Sequence, residues 1–279
     1  NFTFSPKNDI LSGVTVALAL VPEAVAFAFV AGIDPLVGLY GAFIMGIVTS
    51  LLGGRPGMIS GATGAMAVVM VHLIKKGNDV GLNLETPIDY LGLQWLFITL
   101  LFVGLLQAIA GVLKLGKFVR LIPHPVMMGF VNGLAIVIFL SQLNLFKKTN
   151  LGVSEWLVGD ELFIMLGLVG LTMVIMYFLP KLTQKIPAAL VAIIIVAGVT
   201  IFGEINVSTV GSFIKDGGGS GLEGSLPIFQ GQIFSLLHTM NGYWNLVIST
   251  AFLLASVGLI ESLMTLNLVD ELTETRGSG

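Results

Sequence analysis

Residues 53–74 read GGRPGMISGATGAMAVVMVHLI, a stretch that begins rich in glycine and ends in an apolar run. Five glycines and one proline fall within its first twelve residues. Glycine and proline are the residues that most destabilise a helix interior, so a continuous helix is predicted to begin only near Gly64. The stretch therefore predicts an extended entry, Met58–Ala62, followed by a half-helix, Gly64–Ile74.

The chain around this stretch has the composition of a membrane protein. Of its 279 residues, 55% are hydrophobic and only 10% are charged, whereas soluble domains carry about 25% charged residues. Eight apolar runs approach or exceed the length that crosses a bilayer, which predicts an all-α polytopic membrane protein. These runs, spans 1 to 8, cover residues 10–31, 35–54, 58–74, 91–113, 121–146, 162–179, 186–203 and 243–269.

The distribution of charged residues indicates how the chain is oriented in the membrane and argues against some kinds of partner. With a cytoplasmic N-terminus, eight of the thirteen Lys and Arg residues lie on the inner side, so the positive-inside rule favours that orientation. The net charge of −3, with no basic stripe, argues against nucleic acid as a partner. Because the chain has no cysteine, disulfides and thiolate chemistry are excluded. The glycine-rich segment Glu204–Gly242 is predicted to be a loop outside the bilayer.

The interrupted third span is a candidate anion site. A half-helix that starts within the membrane presents free amide groups and the positive end of its dipole, which attract an anion without a basic side chain. Interrupted segments of this kind indicate the binding site in secondary transporters. The alternative is that the small residues only permit close helix packing. The candidate residues are Ser60, Gly61, Ala62, Thr63 and Gly64.

Two lone carboxylates favour a transporter as well. Glu23 and Glu261 are each the only formal charge in an apolar run long enough to span a bilayer. Ionisable groups at membrane depth are costly and usually mark a substrate or ion path. The alternative is a protonated glutamate that bonds a neighbouring helix. Pro22 precedes Glu23 and is predicted to break or kink span 1, which would free carbonyl groups that suit Na⁺ or a proton on the acid.

The two glutamates also suggest an internal repeat. Aligned on Glu23 and Glu261, the two segments share almost no other identity, yet seven spans separate their starting points. A repeat of odd length inverts its topology in the membrane, as in alternating-access transporters. The pattern therefore suggests an inverted seven-plus-seven repeat.

Four groups of residues along the sequence carry a resemblance to a known family. They are Pro22–Ala28 with Gly32–Phe43, Gly53–Pro56 with Ile59–Gly64, Ile122–Phe130, and Asp270–Gly277. In this order and spacing they resemble the SulP family of sulfate permeases and inorganic anion transporters.

The resemblance implies a fold of fourteen segments in two inverted repeats of seven, the UraA-like fold shared with nucleobase permeases. Residues 1–279 would then be a partial transport domain, comprising the first eight segments with a broken third one. Segments 9–14 and any C-terminal STAS domain are absent from it. The resemblance further implies a core domain, a gate domain and a homodimer of the full-length protein.

The family's anion site lies between the N-termini of half-helices 3 and 10, beside spans 1 and 8. The resemblance assigns the anion to Pro22, Glu23, Ser60, Gly61, Ala62, Thr63 and Gly64, and the coupling cation to Glu261, Ser262 and Thr265. Na⁺ is the candidate metal ion at Glu261, and no other cofactor is expected.

We therefore expect a multi-pass protein of a bacterial-type plasma membrane. Its expected activity is symport of bicarbonate or sulfate with Na⁺ or H⁺, by elevator-type alternating access. A proton-coupled dicarboxylate permease, a nucleobase permease and an anion channel are the alternatives. An enzyme is not expected, since the sequence shows neither a nucleophile–base pair nor a metal cluster.

Overall fold

The computed structural model describes residues 6–53, 57–115, 124–150, 153–183, 186–205, 207, 226–227 and 231–274. Most of these residues are helical. The α-helices are α1 Pro6–Ala31, α2 Pro35–Leu52, α3 Gly64–Leu82, α4 Leu91–Val112, α5 His124–Gln142, α6 Asp160–Leu182, α7 Ala188–Phe202 and α8 Trp244–Thr273. Strands β1 Lys147–Asn150 and β2 Val153–Trp156 pair as an antiparallel hairpin. Two 3₁₀ helices cover Leu143–Phe146 and Gly231–Met240.

The chain divides into two compact units. The first contains the described residues of 1–26 and 140–223, and the second those of 27–139 and 224–279. In the first unit α6 packs along α7, and their apolar side chains are largely exposed. Five helices of the described chain (α1, α2, α4, α6 and α8) are long and apolar enough to cross a membrane.

The second unit has a core built from α3, α4 and α8, which all pack against one another. On α8 the buried side is a helical stripe of Val247, Ala251 and Leu254. Trp95 of α4 and Leu73 of α3 are fully buried in the same core. Residues that repeat at intervals of three and four form one face of a helix, so the sequence itself sets which side of α8 turns inward.

Glycines let α3 and α4 approach more closely than ordinary side chains permit. A Cβ atom at Gly77 would lie 2.5 Å from the Cα atom of Gly92, and one at Gly81 would lie 2.9 Å from Cβ of Leu91. Asn78 Oδ1 accepts a hydrogen bond of 2.9 Å from the backbone N–H of Gly92. Small residues with a polar side chain between them are typical of tight helix contacts in membranes.

The 3₁₀ helix Gly231–Met240 closes one end of this core. Trp95 Nε1 donates a buried hydrogen bond of 3.0 Å to Thr239 Oγ1. The Trp95 ring also packs against Tyr243 with 5.3 Å between ring centroids. The predicted loop at 204–242 is therefore partly helical, because the buried side chains of Ile233 and Met240 join the apolar core. Residues 206, 208–225 and 228–230 of that predicted loop lie outside the described residues.

Three sequence expectations can be compared with these bounds. The start of the third helix at Gly64 is confirmed, but its predicted end at Ile74 is wrong, because the helix continues to Leu82. The lysines after Ile74 suggested a connector, yet Gly77 and Gly81 extend the packing against α4 for two more turns. Of the predicted break or kink at Pro22, the break is wrong, since α1 is continuous through that residue, and the kink stays a prediction. A long helix can continue through a proline, because only one backbone hydrogen bond is lost.

Candidate functional site

The site begins where extended backbone turns into the third helix. Gly57 has a φ of +89°, and Thr63 is extended with φ −124° and ψ 140°. The helix starts at the next residue, Gly64, and its first intrahelical bond runs from the Ala67 amide to the Thr63 carbonyl at 3.1 Å. The amide groups before Ala67 have no carbonyl partner within the helix, as at every helix start.

Apolar side chains close around this helix start. A Cβ atom at Gly64 would lie 2.7 Å from Ile138 Cδ1 on α5 and 2.9 Å from Phe27 Cε1 on α1. Gly64 and Ala65 are both buried. Only a residue without a side chain fits at Gly64 without a shift of its neighbours, which explains the glycine at the first helical position.

The extended segment before the helix runs along the C-terminal half of α8. At one end, a Cβ atom at Gly57 would be 3.8 Å from Val269 Cγ1. At the other end, the Thr63 side chain lies within interacting range of the Glu261 carboxylate. Residues 57 to 63 are therefore antiparallel to residues 261 to 269. This arrangement sets the start of α3 beside the carboxylate of span 8.

Thr63 and Glu261 both carry a buried polar atom that is not satisfied. Among the described residues, Thr63 Oγ1 and Glu261 Oε2 have no hydrogen-bond partner of acceptable geometry. Thr63 precedes the first helical residue, yet its side chain makes no capping bond. A buried polar atom without a partner costs free energy, and a ligand bound by both of these adjoining side chains would remove that cost.

Glu261 owes its position to the helical repeat of α8. It follows Val247 and Leu254 at intervals of seven residues, and both of those side chains are fully buried. Glu261 thus continues the inward stripe, and its side chain is half-buried. A carboxylate takes the place that an apolar residue would occupy in an ordinary core helix.

The other predicted site residues have different surroundings. Ser262 and Thr265 are exposed, and Thr265 Oγ1 donates to the backbone carbonyl of Glu261 at 2.9 Å. Ser60, Gly61 and Ala62 are half-buried in the extended entry. Pro22 and Glu23 belong to the other unit, where Pro22 is half-buried and Glu23 is exposed on α1. The structure thus brings Thr63 and Glu261 together.

One polar residue near this site escaped the sequence analysis. Gln107 of α4 reaches α8 and donates from Nε2 to the backbone carbonyl of Ala255 at 3.4 Å. The available signal was a lone amide in the apolar second half of span 4, but such residues often serve only as contacts between helices.

Together these features define a class of protein: a multi-pass helical membrane protein whose third helix starts, after an extended segment, beside a half-buried carboxylate. The model of the sulfate permease family matches residues 7–276, and the chain belongs to that family. The family is one of transporters, which favours transport over an enzymatic activity.

Two curated transporters are similar in sequence to this chain. The chain is 39% identical over 269 residues to the "Putative sulfate transporter YbaR" of Bacillus subtilis, covering 96% of this chain and 49% of that protein. It is 31% identical over 281 residues to the bicarbonate transporter BicA of Synechocystis, covering 96% and 46% respectively. The chain thus spans about half the length of these curated relatives.

A solved structure supports the fold directly. The transmembrane domain of a cyanobacterial bicarbonate transporter BicA superposes with a TM-score of 0.75 at 27% sequence identity. The match covers all of this chain and 69% of the other. The predicted fold class, the first eight segments of the UraA-like fold with a broken third segment, is confirmed.

Proposed function

We propose that this chain supplies half of the binding site of a secondary active transporter for a small inorganic anion, bicarbonate or sulfate. The relatives at 39% and 31% identity carry the names of a sulfate and a bicarbonate transporter. The observation that carries the proposal is the pair of unsatisfied oxygens, Thr63 Oγ1 and Glu261 Oε2, at the start of α3.

The anion would dock at the N-terminus of α3. Helix ends supply roughly half a charge each, so a lysine or arginine is not required there. The backbone amides of the first turn and the hydroxyl of Ser60 would donate hydrogen bonds to it. Phe27 and Ile138 would exclude water from one side of the site, because their side chains already contact the helix start at Gly64.

Glu261 gives a physical reason for coupling to a cation. An anion at the first turn of α3 would lie near the Glu261 carboxylate, since Thr63 adjoins both. Two negative charges in one site disfavour each other. Na⁺ held by the oxygens of Glu261 and Thr63, or a proton on Glu261, would remove that repulsion. Each ligand would then raise the affinity for the other, which is the requirement for symport.

The packing of the second unit suits alternating access of the elevator type. The helices α3, α4 and α8 share one apolar core and close glycine contacts. The site elements α3 and α8 would therefore move together, so that the Thr63–Glu261 pair keeps its geometry while access changes sides. Rigid-body motion of one bundle against another is a common basis of transport.

Nucleobase transport is a second candidate, which one observation favours. The ring of Phe27 lies beside the helix start at Gly64 and could stack on a planar ligand. Membership of the sulfate permease family favours the inorganic anion. A dicarboxylate would use the same helix terminus with proton coupling.

The test is uptake by the full-length protein in proteoliposomes. Labelled bicarbonate, sulfate, succinate and uracil would be offered in parallel, each with an inward Na⁺ gradient, an inward proton gradient or no gradient. We expect accumulation of bicarbonate or sulfate that requires one of the two gradients. Accumulation of uracil alone would support the second candidate. Flux of anions that never exceeds equilibrium under any gradient would indicate a channel and refute the proposal.

We further propose that the N-terminus is cytoplasmic and that the full-length protein is a homodimer. Labelling of single cysteines introduced at Lys7 and Glu85 would test the orientation, because the chain has no native cysteine. A cysteine at position 7 should react with an impermeant reagent only in opened cells. Mass determination in native-like nanodiscs would test the dimer, and a monomer would contradict it.

A further inference from the structure

Gln107 contacts α8 but is not one of the residues assigned to the anion or the cation. It lies in α4, a helix of 22 residues in which apolar side chains predominate. Its Nε2 atom donates to the carbonyl oxygen of Ala255 on α8 at 3.4 Å. A carbonyl oxygen inside a helix has a second lone pair and can accept this bond without losing its own helical partner.

Gly258 leaves the space in which the Gln107 side chain crosses α8. A Cβ atom at Gly258 would lie only 2.6 Å from Gln107 Nε2, and it would be 3.8 Å from the sulfur of Met66 on α3. Gly258 is the single glycine within the 30 residues of α8. Glycine destabilises a helix interior relative to alanine, so a glycine there needs a packing reason. The amide group of Gln107 occupies the space that a side chain would fill.

This contact lies one helical turn from the Thr63–Glu261 pair on two helices. Gly258 precedes Glu261 by three residues on α8, and Met66 follows Thr63 by three residues on α3. Residues three apart are neighbours on a helix surface. The amide group of Gln107 therefore lies against α8 about one helical turn from the carboxylate.

We propose that Gln107 is a positioning residue for the cation site: its side chain crosses Gly258, bonds the Ala255 carbonyl, and so fixes Glu261 opposite Thr63. The proposal rests on the proposed function, because its readout is the cation requirement of transport. Gln107 does not bind the cation in this account. It sets the distance between the two oxygens that do.

The test is uptake by the full-length protein as a function of Na⁺ or H⁺ concentration. Gly258→Ala should raise the half-saturating cation concentration by about tenfold, because the added methyl group displaces α8 beside Glu261. Gln107→Met keeps the length of the side chain but removes the donor, and it should raise that concentration about threefold. In both variants the maximal rate at saturating cation should change less than the half-saturating concentration.

The double variant separates positioning from general damage. In a Gln107→Ala background, the Nε2 atom that a Cβ atom at Gly258 would overlap is gone. Adding Gly258→Ala should then have little further effect on the half-saturating cation concentration. Gly104→Ala and Gly111→Ala are matched controls on α4, since nothing lies within 4 Å of a Cβ atom at either position. These controls should keep the wild-type cation requirement.

The outcomes distinguish this inference from the proposed function. Wild-type uptake that does not respond to any cation gradient would refute both the proposed function and the positioning role of Gln107. Cation-dependent wild-type uptake would retain the proposed function, and an unchanged cation requirement in both Gly258→Ala and Gln107→Met would then overturn the positioning role alone. An equal effect of Gly258→Ala with and without Gln107 would overturn it as well.

Discussion

Gly64→Ala adds one methyl group at the start of α3, where the structure leaves no room. The new Cβ atom would lie 2.7 Å from Ile138 Cδ1 and 2.9 Å from Phe27 Cε1. Ordinary contacts begin at 3.4 Å, so the two distances fall short by 0.7 and 0.5 Å. Either the two side chains or the helix start must move by a comparable distance.

The expected cost follows from that shift. Overpacking of a core by one carbon costs about 1–3 kcal/mol, while alanine recovers up to about 1 kcal/mol of helix propensity over glycine. We expect a net loss in the free energy of unfolding of about 1–2 kcal/mol. A displacement of about half an ångström at the anion-binding amides should raise the KM for the anion about tenfold.

Two measurements on the full-length protein check this expectation: thermal unfolding in detergent, and uptake at varied anion concentration. Gly129→Ala on α5 is the matched control, since nothing lies within 4 Å of a Cβ atom there. Ile138→Val removes the closest atom, Cδ1, and should restore part of both losses in the Gly64→Ala background. A Gly64→Ala protein with the Tm and KM of Gly129→Ala would show that the start of α3 has room for a side chain.

Three other substitutions give further tests. Thr63→Val keeps the shape of the side chain but removes the unsatisfied hydroxyl, so the half-saturating cation concentration should rise about tenfold, in an uptake assay, with the fold unchanged. Trp95→Phe removes the buried bond to Thr239, and thermal unfolding should report a loss of about 1–3 kcal/mol. Gly92→Ala forces a methyl group against the backbone of α3; it should lower expression or stability by about 3 kcal/mol or more, whereas Gly104→Ala should not. Wild-type stability in Gly92→Ala would contradict the close helix contact.

Local composition was enough to predict that the third helix starts only at Gly64. Glycine density before Gly64 is a property of neighbouring residues, and backbone propensity acts at that range. The end of the same helix was missed, because the lysines after Ile74 suggested a connector, whereas Gly77 and Gly81 pack against α4 and the helix continues to Leu82. Tertiary packing overrode a local signal there.

The partner of Glu261 could not be predicted from the sequence in the same way. Thr63 and Glu261 are almost two hundred positions apart, and only the packing of α3 on α8 brings them together. The family resemblance groups Glu261 with Ser262 and Thr265, which are near it in the chain but exposed on the helix. A role for those two residues in cation binding stays a prediction, as does a role for Glu23.

The most direct test of the central claim is accumulation by Glu261→Gln in proteoliposomes of the full-length protein. The assay would use whichever anion the wild type concentrates, with and without the effective cation gradient. Glutamine keeps the size of the side chain but cannot hold the charge, so we predict that uptake no longer responds to the gradient. Glu85→Gln, an exposed carboxylate in the connector after α3, is the charge-matched control and should respond like the wild type. Undiminished gradient-driven accumulation by Glu261→Gln would contradict the account.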